Sequence, residues 1–282
     1  MPDHSNQTNT EPTDKPDEQP KYNFFVYIVE SPSAPDLYHG RSEGALVVNA
    51  LGLDQIPCIS RIAINHEAFE AALKIGLPDA MKQFQGRYPI LHLSAHGSTQ
   101  GIQLSSGGVI TWGNLRTLLV PINDSLGGAL LLCMSSCEGY NACQMAMQNE
   151  ENVKHPYFAM VGNYGKPTWS DTAVSYLAFY HLLAKGKTIP DGVQAMNSAS
   201  GLDSWLVEVA EQTRRGYIEF LKSSSQPGEA QQQLETAAEN AELSPDAKAL
   251  EGRDSYKPKN PSPLKIPTQE SRSAVDGPSI SR

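Results

Sequence analysis

The 282-residue sequence lacks several features that would each place it in a familiar class of proteins. It has only four cysteines, too few for a disulfide scaffold in a chain of this length, which favours a reducing compartment. No run of 18 or more apolar residues is present, which argues against a membrane-spanning helix. The first residues are acidic and polar, so no signal segment is expected. We therefore predict a cytoplasmic protein with no membrane partner.

Positive charge is also scarce. The formal net charge is -9, so the chain as a whole offers no basic surface for nucleic acid, and no nucleic-acid partner is expected. Residues 30–40 (ESPSAPDLYHG) follow the first predicted strand and contain no GxGxxG or Walker-type pattern. This absence weighs against one alternative, a doubly wound domain that binds a small molecule through a phosphate loop.

The two ends of the chain are poor in apolar residues and aromatic rings. Residues 1–22 and 223–282 are rich in proline and polar side chains, and the second segment has one aromatic residue, Tyr256. Such segments cannot bury enough apolar surface to offset chain entropy, so both are predicted to be disordered tails. The remaining segment, 23–222, is long enough for one domain with a substantial core.

Apolar strands alternate with helical patterns along residues 23–222, which predicts an α/β fold with a mostly parallel sheet and helices on both faces. Buried strands are expected over 23–31, 57–65, 89–94, 129–134 and 157–162, and a small hairpin over 102–111. Helices are expected over 42–53, 66–84, 112–120, a stretch ending at 149, 171–184, 190–199 and 203–222.

Two of these strands end in reactive residue types. His96 follows the third main strand, and Cys137 follows the fourth and precedes a predicted helix, whose N-terminus would favour a thiolate. Functional residues of open α/β sheets gather beyond the carboxyl ends of the strands. The pattern therefore predicts a Cys-His pair, with the backbone amides of Gly97 and Cys137 as donors to an oxyanion.

Three segments resemble the motifs of clan CD cysteine peptidases, the group of caspases, metacaspases, separases, gingipains and bacterial CHAT-domain peptidases. LHLSAHGS (91–98) resembles their strand-plus-His-Gly motif, and LLLCMSSCEG (130–139) resembles their apolar strand followed by the catalytic Cys. Residues 168–197 are similar to the region after that Cys in CHAT domains, the closest relatives by this reading. One departure is Ser136, where the family frequently has Ala.

The resemblance implies a caspase-like three-layer sandwich and a cysteine endopeptidase with Cys137 as nucleophile and His96 as base. No cofactor and no metal are needed for that chemistry, and the partner is a protein or peptide substrate. The resemblance also suggests a bacterial defence or cell-death role, with a separate sensor or regulator protein. Asp171 and Glu138 are the candidate acids for a pocket that accepts Arg or Lys before the cleaved bond.

Simpler interpretations of the same residues stay open. Asp171 is equally suited to stabilising a helix N-terminus, and His92 lies within a strand as a core residue would. Cys58, Cys133 and Cys143 fit structural positions. A zinc site is a weaker alternative, because its candidate ligands include no CxxC pair. These ligands would be His92, His96, Cys133, Cys137 and Cys143. A catalytically inactive adaptor that binds partner proteins is the remaining alternative.

Overall fold

The computed structural model describes residues 21–150 and 152–224, in which helices cover both faces of a central sheet. The strands are β1 (Phe24–Ser31), β2 (Cys58–Ile62), β3 (Tyr88–Ser98), β4 (Gly101–Gln103), β5 (Val109–Thr111), β6 (Leu131–Ser135), β7 (Ala159–Asn163) and β8 (Trp205–Val209). The helices are α1 (Ala34–Tyr38), α2 (Glu43–Leu53), α3 (His66–Ala71), α4 (Leu77–Gln83), α5 (Trp112–Ser125), α6 (Trp169–Ala184), α7 (Ile189–Ser200) and α8 (Ala210–Ser224). The two predicted disordered tails lie outside the described residues, apart from the few at their inner ends.

The sheet has the strand order β2-β1-β3-β6-β7-β8. Every pairing along this path is parallel except the last, in which β8 runs antiparallel to β7. The short strands β4 and β5 form a hairpin on the end of β3. The predicted α/β fold with a mostly parallel sheet is therefore confirmed, and β3 and β6 lie side by side at its centre.

Apolar side chains on alternate strand positions form one core on each face of the sheet. Leu91 and Leu93 pack on the side of α3, α4 and α5, whereas Ile90 and Cys133 pack on the side of α2, α6 and α7. Full burial of one such aliphatic side chain contributes about 1.5–3 kcal/mol. The two cores hold the sheet rigidly between helical layers, so the strand ends are fixed in position.

Two predicted helices differ from the structure. The helix predicted over 203–222 is wrong in its first part, where Trp205–Val209 forms β8 and the helix starts only at Ala210. This segment forms a strand because it pairs with the otherwise open edge of β7. The helix predicted to reach 149 is instead a 3-10 helix, Gly139–Ala146. The predicted helix over 66–84 is confirmed, although a π-helical segment, Ala72–Gly76, divides it before Pro78.

Candidate active site

The sequence suggested that His96 lies in a loop beyond the third main strand. In the structure it lies within β3. Pairing of His96 with Gln103 of β4 prolongs β3 past the last residue that pairs with the main sheet. The His96 side chain is exposed, and its ring lies 5.8 Å from that of Trp169 in an edge-on arrangement. The imidazole therefore reaches solvent at the carboxyl edge of the sheet, with one aromatic wall beside it.

Cys137 lies two residues beyond β6 and is half-buried. The chain turns sharply after it, because Glu138 adopts a left-handed conformation with φ of 54°. The Glu138 amide donates to the Gly165 carbonyl at 2.7 Å, which ties this turn to the loop after β7. A tight, anchored turn presents the Cys137 thiol at the same sheet edge as His96.

The backbones at Gly97 and Cys137 come very close together. A Cβ atom at position 97 would lie 2.1 Å from the Cys137 carbonyl oxygen and 2.9 Å from the Ser136 Cβ. Any residue other than glycine would push the two segments apart. His96 and Cys137 also line one cavity of about 180 Å³, together with Ser136, Thr168, Trp169 and neighbouring residues. The structure thus brings together the residues predicted as a Cys-His pair.

Burial is the main influence on the Cys137 thiol and raises its pKa. The ammonium of Lys166 acts in the opposite direction, and the Glu138 carboxylate raises the pKa further. Lys166 and Glu138 also pair with each other at 3.5 Å. The thiol is therefore protonated at neutral pH, so its reaction as a nucleophile requires a base.

Substitution of these two charged residues should shift the reactivity of Cys137 in opposite directions. Lys166→Ala removes a cation and raises the pKa of Cys137, whereas Glu138→Gln removes an anion and lowers it. We expect the rate of Cys137 alkylation by iodoacetamide at pH 7 to fall about two- to fivefold in the first variant and to rise in the second. The rate is measured by mass spectrometry across a pH series. Lys82→Ala, which removes a similarly exposed and paired lysine, is the control. A change of the Cys137 alkylation rate in the same direction in both variants would contradict this account.

Asp171 takes part in a helix cap. Thr168 is the N-cap of α6, and Asp171 completes a capping box. The Asp171 carboxylate accepts from the Thr168 amide at 2.8 Å and from the Thr168 hydroxyl at 2.7 Å. Neither Asp171 nor Glu138 lines the cavity at Cys137. The capping interpretation accounts for the contacts of Asp171, and a substrate contact for either acid stays a prediction.

A second cavity, of about 370 Å³, lies on the other side of Trp169 and carries acidic residues that the sequence analysis did not single out. Its lining includes Glu30, Asp36, Arg41, Glu43 and Trp169. Trp169 lines both cavities, so they adjoin. The sequence contained one signal for Asp36 as a site residue. It follows β1, the neighbour of β3, and so lies at the same edge of the sheet as His96.

Asp36 is ionised in this cavity. A hydrogen bond from Ser33 is the largest cause that lowers the pKa of Asp36. Arg41, whose Nε lies 2.8 Å from Asp36 Oδ1, lowers it as well. The Arg41 side chain is 61% exposed, so a cation from solvent could compete for its place. This second cavity is therefore suited to a positively charged group.

The other cysteines and His92 occupy core positions. Burial raises the pKa of Cys58 and Cys133 to about 12 and that of Cys143 to about 11, which suits structural thiols. His92 is fully buried, with Nδ1 2.7 Å from the Tyr180 hydroxyl. Within residues 21–150 and 152–224, no group of three or more His, Cys, Asp or Glu side chains is arranged to hold a metal ion. The same ranges contain no helix long and apolar enough to cross a membrane.

Comparison with known proteins gives distant structural matches only. No protein-family model and no curated protein match the chain. Among solved structures, the Arg-specific cysteine proteinase gingipain R matches at 13% identity with a TM-score of 0.41, over 66% of this chain and 48% of the other. The complex of RgpB pro- and mature domains from Porphyromonas gingivalis matches at 14% identity with a TM-score of 0.42, over 66% and 47%. This chain thus spans about half the length of those proteins, and matches at such scores carry no weight in assigning its function.

Proposed function

We propose that the chain is a caspase-like, CHAT-type cysteine endopeptidase in which Cys137 is the nucleophile and His96 the base. One observation carries the proposal: the His-Gly and Ser-Cys segments, far apart in sequence, lie against each other and open into one cavity. Because the pKa of the thiol is raised, its reaction as a nucleophile needs a base, and His96, which lines the same cavity, is the proposed one.

The reaction proceeds in two stages. The thiol proton of Cys137 passes to a ring nitrogen of His96, and the sulfur attacks the scissile carbonyl carbon. Collapse of the tetrahedral intermediate breaks the C–N bond, and the leaving amine takes the proton from His96. Water then attacks the thioester with His96 as base, the C–S bond breaks, and the sulfur recovers its proton as the carboxylic acid product leaves.

Backbone amides of Gly97 and Cys137 are the proposed donors to the oxyanion. Both residues belong to the segments that meet at the cavity, and Gly97 offers no side chain to block a carbonyl. Donors fixed in a rigid backbone need no reorganisation as charge develops on the oxygen, and one such donor is worth about 3–4 kcal/mol in other enzymes.

Cleavage after Arg or Lys is supported by the acidic cavity on the far side of Trp169. An Arg side chain of the substrate would displace Arg41 from the Asp36 carboxylate and form an equivalent ion pair in its place. Because the pKa of Asp36 is lowered, this carboxylate keeps its charge through the neutral pH range. Asp36 therefore replaces Asp171 as the proposed acid of the specificity pocket.

A fluorogenic peptide library that varies the residue before the scissile bond tests both activity and specificity. We expect the highest kcat/KM for Arg or Lys, and we expect Asp36→Asn to lower it about 10- to 100-fold for those substrates, the value of a charged hydrogen bond. Asp171→Asn should keep the preference and cost about 0.3–1 kcal/mol of stability, because Asn still accepts from Thr168 but loses the negative charge near the helix N-terminus. Preference for Asp, or loss of the Arg preference in Asp171→Asn alone, would contradict the assignment.

An inactive adaptor with the same fold is the second candidate, and the raised pKa of Cys137 favours it, since a protonated thiol is a poor nucleophile. It predicts no hydrolysis of any peptide in the library and no effect of alkylating Cys137 on partner binding. The proposal for the active enzyme includes, by the family resemblance, a cytoplasmic role in bacterial defence or cell death under control of a separate regulator protein.

A further inference from the structure

A buried carboxylate connects the two strands that carry His96 and Cys137. Glu43 begins α2 and is only 5% exposed. Its Oε2 accepts from the Ser94 hydroxyl at 2.6 Å, and the Ser135 hydroxyl lies 2.8 Å from both of its carboxylate oxygens. Ser94 belongs to β3 and Ser135 to β6, so one side chain bonds to both strands.

These bonds lie at the last point where the two strands are joined. Ser94 and Ser135 are the final partners in the β3–β6 register, and beyond them β3 turns to its hairpin while β6 ends. His96 follows Ser94 by two residues, and Cys137 follows Ser135 by two. The distance and orientation between the two reactive groups are therefore set just beyond the Glu43 contacts.

Glu43 is itself held firmly from behind. The Glu30 carboxylate accepts from the amides of Glu43 and Gly44 at 2.7 and 3.1 Å, which fixes the first turn of α2 against β1. On another side, His92 Nε2 lies 3.8 Å from Glu43 Oε1 and has no hydrogen-bond partner within the described part of the chain. Glu43 is thus a rigid support for the two serine hydroxyls.

Burial of the Glu43 carboxylate has an unfavourable free energy that a purely stabilising role does not explain. Removing a carboxylate from water costs several kcal/mol, and an apolar side chain of similar size would usually pack at this position at lower cost. Small errors in the placement of reacting groups lower rates steeply, about 100-fold for a misplacement of 1 Å. The cost of burying Glu43 is understandable if it maintains the geometry of the reactive pair.

We propose that Glu43 is a positioning residue for the His96–Cys137 pair. This inference rests on the proposed peptidase function and adds a residue to its site. Glu43 does not touch the substrate in this role. It accepts hydrogen bonds from the Ser94 and Ser135 hydroxyls and thereby fixes the ends of β3 and β6 relative to each other. These strand ends carry the base and the nucleophile.

A competing role is binding of the substrate cation, because Glu43 also lines the acidic cavity. The two roles predict different kinetics. Loss of a positioning residue lowers kcat and leaves KM near its original value, whereas loss of a cation-binding acid raises KM for Arg substrates and weakens the preference for Arg. The hydroxyls of Ser94 and Ser135 already occupy both oxygens of Glu43, which favours the first role.

The test compares Glu43→Gln, Ser135→Ala and the matched control Glu208→Gln in the full chain. Glu208 is another buried carboxylate that accepts from two hydroxyls, those of Tyr157 and Thr213, but it lies on β8. We expect kcat to fall at least about tenfold in the first two variants with KM within about twofold, and Glu208→Gln to keep the wild-type kcat. Melting temperatures show whether each variant is folded, and Ser135→Ala keeps the test valid if Glu43→Gln fails to fold.

A second readout does not require peptide turnover. The pH profile of Cys137 alkylation by iodoacetamide should shift in Glu43→Gln towards the profile of His96→Ala, while alkylation of Cys143 stays unchanged. If the wild type cleaves no peptide, the proposed function fails and this profile alone decides the role of Glu43. Wild-type kcat in folded Glu43→Gln or Ser135→Ala, or a rise in KM at constant kcat, would overturn the inference. So would a wild-type alkylation profile in Glu43→Gln.

Discussion

Cys137→Ala is expected to abolish peptide hydrolysis, with a loss of at least about 1,000-fold in kcat, because Cys137 carries the only thiol among the described residues that line the cavity. The variant should fold normally, since Cys137 is only half-buried and belongs to neither of the two apolar cores. Hydrolysis of the best library peptide gives the rate, and circular dichroism checks the fold.

Cys143→Ala is the matched control for this variant. It removes another half-buried thiol six positions along the chain, on the 3-10 helix that follows Cys137. It should keep near-wild-type kcat. Full hydrolysis by Cys137→Ala, or loss of hydrolysis only in Cys143→Ala, would remove Cys137 from the role of nucleophile.

His96→Ala is expected to lower kcat by at least about 100-fold, the usual contribution of a general base. Since the thiol of Cys137 is protonated at neutral pH, the remaining rate should rise with pH as direct ionisation replaces the missing base. The exposed position of His96 predicts little change in melting temperature. Rates measured over a pH series with the same peptide give both results.

His92→Asn provides the contrast. His92 is fully buried and bonds to Tyr180, so its loss should cost about 1–3 kcal/mol of folding free energy and leave measurable turnover. The assignment of the base is wrong if the His92 variant is folded and inactive while His96→Ala turns over normally.

The sequence was sufficient to place the main strands and to predict that His96 and Cys137 lie at one edge of the sheet. The run 129–134 is wholly apolar, and 89–94 is apolar except for His92 and Ser94, as expected for central strands covered on both faces. Cys137 and His96 follow these runs closely. The geometry of parallel strands then brings both ends to one edge. Local pattern and overall fold agree at these positions, and the predicted strands match the structure for that reason.

Features that depend on distant contacts escaped the sequence analysis. Residues 205–209 are a strand because β7 offers an open edge, and no local pattern reports that edge. Glu43 opens a predicted helix as an ordinary acidic residue, yet its partners Ser94 and Ser135 lie 51 and 92 positions away. Asp36 lines the acidic cavity together with Trp169, which lies far along the chain, so its proposed contact with a substrate cation was not visible from the local sequence.

Labelling with an acyloxymethyl ketone peptide that carries Arg next to the ketone tests the central claim most directly. Such a probe forms a thioether only with a cysteine whose reaction is assisted within the site. We predict that mass spectrometry of the labelled wild-type chain finds the adduct on Cys137 and not on Cys58, Cys133 or Cys143, and that His96→Ala is labelled much more slowly. A modified cysteine other than Cys137, or labelling of Cys137 at the same rate with and without His96, would contradict the account.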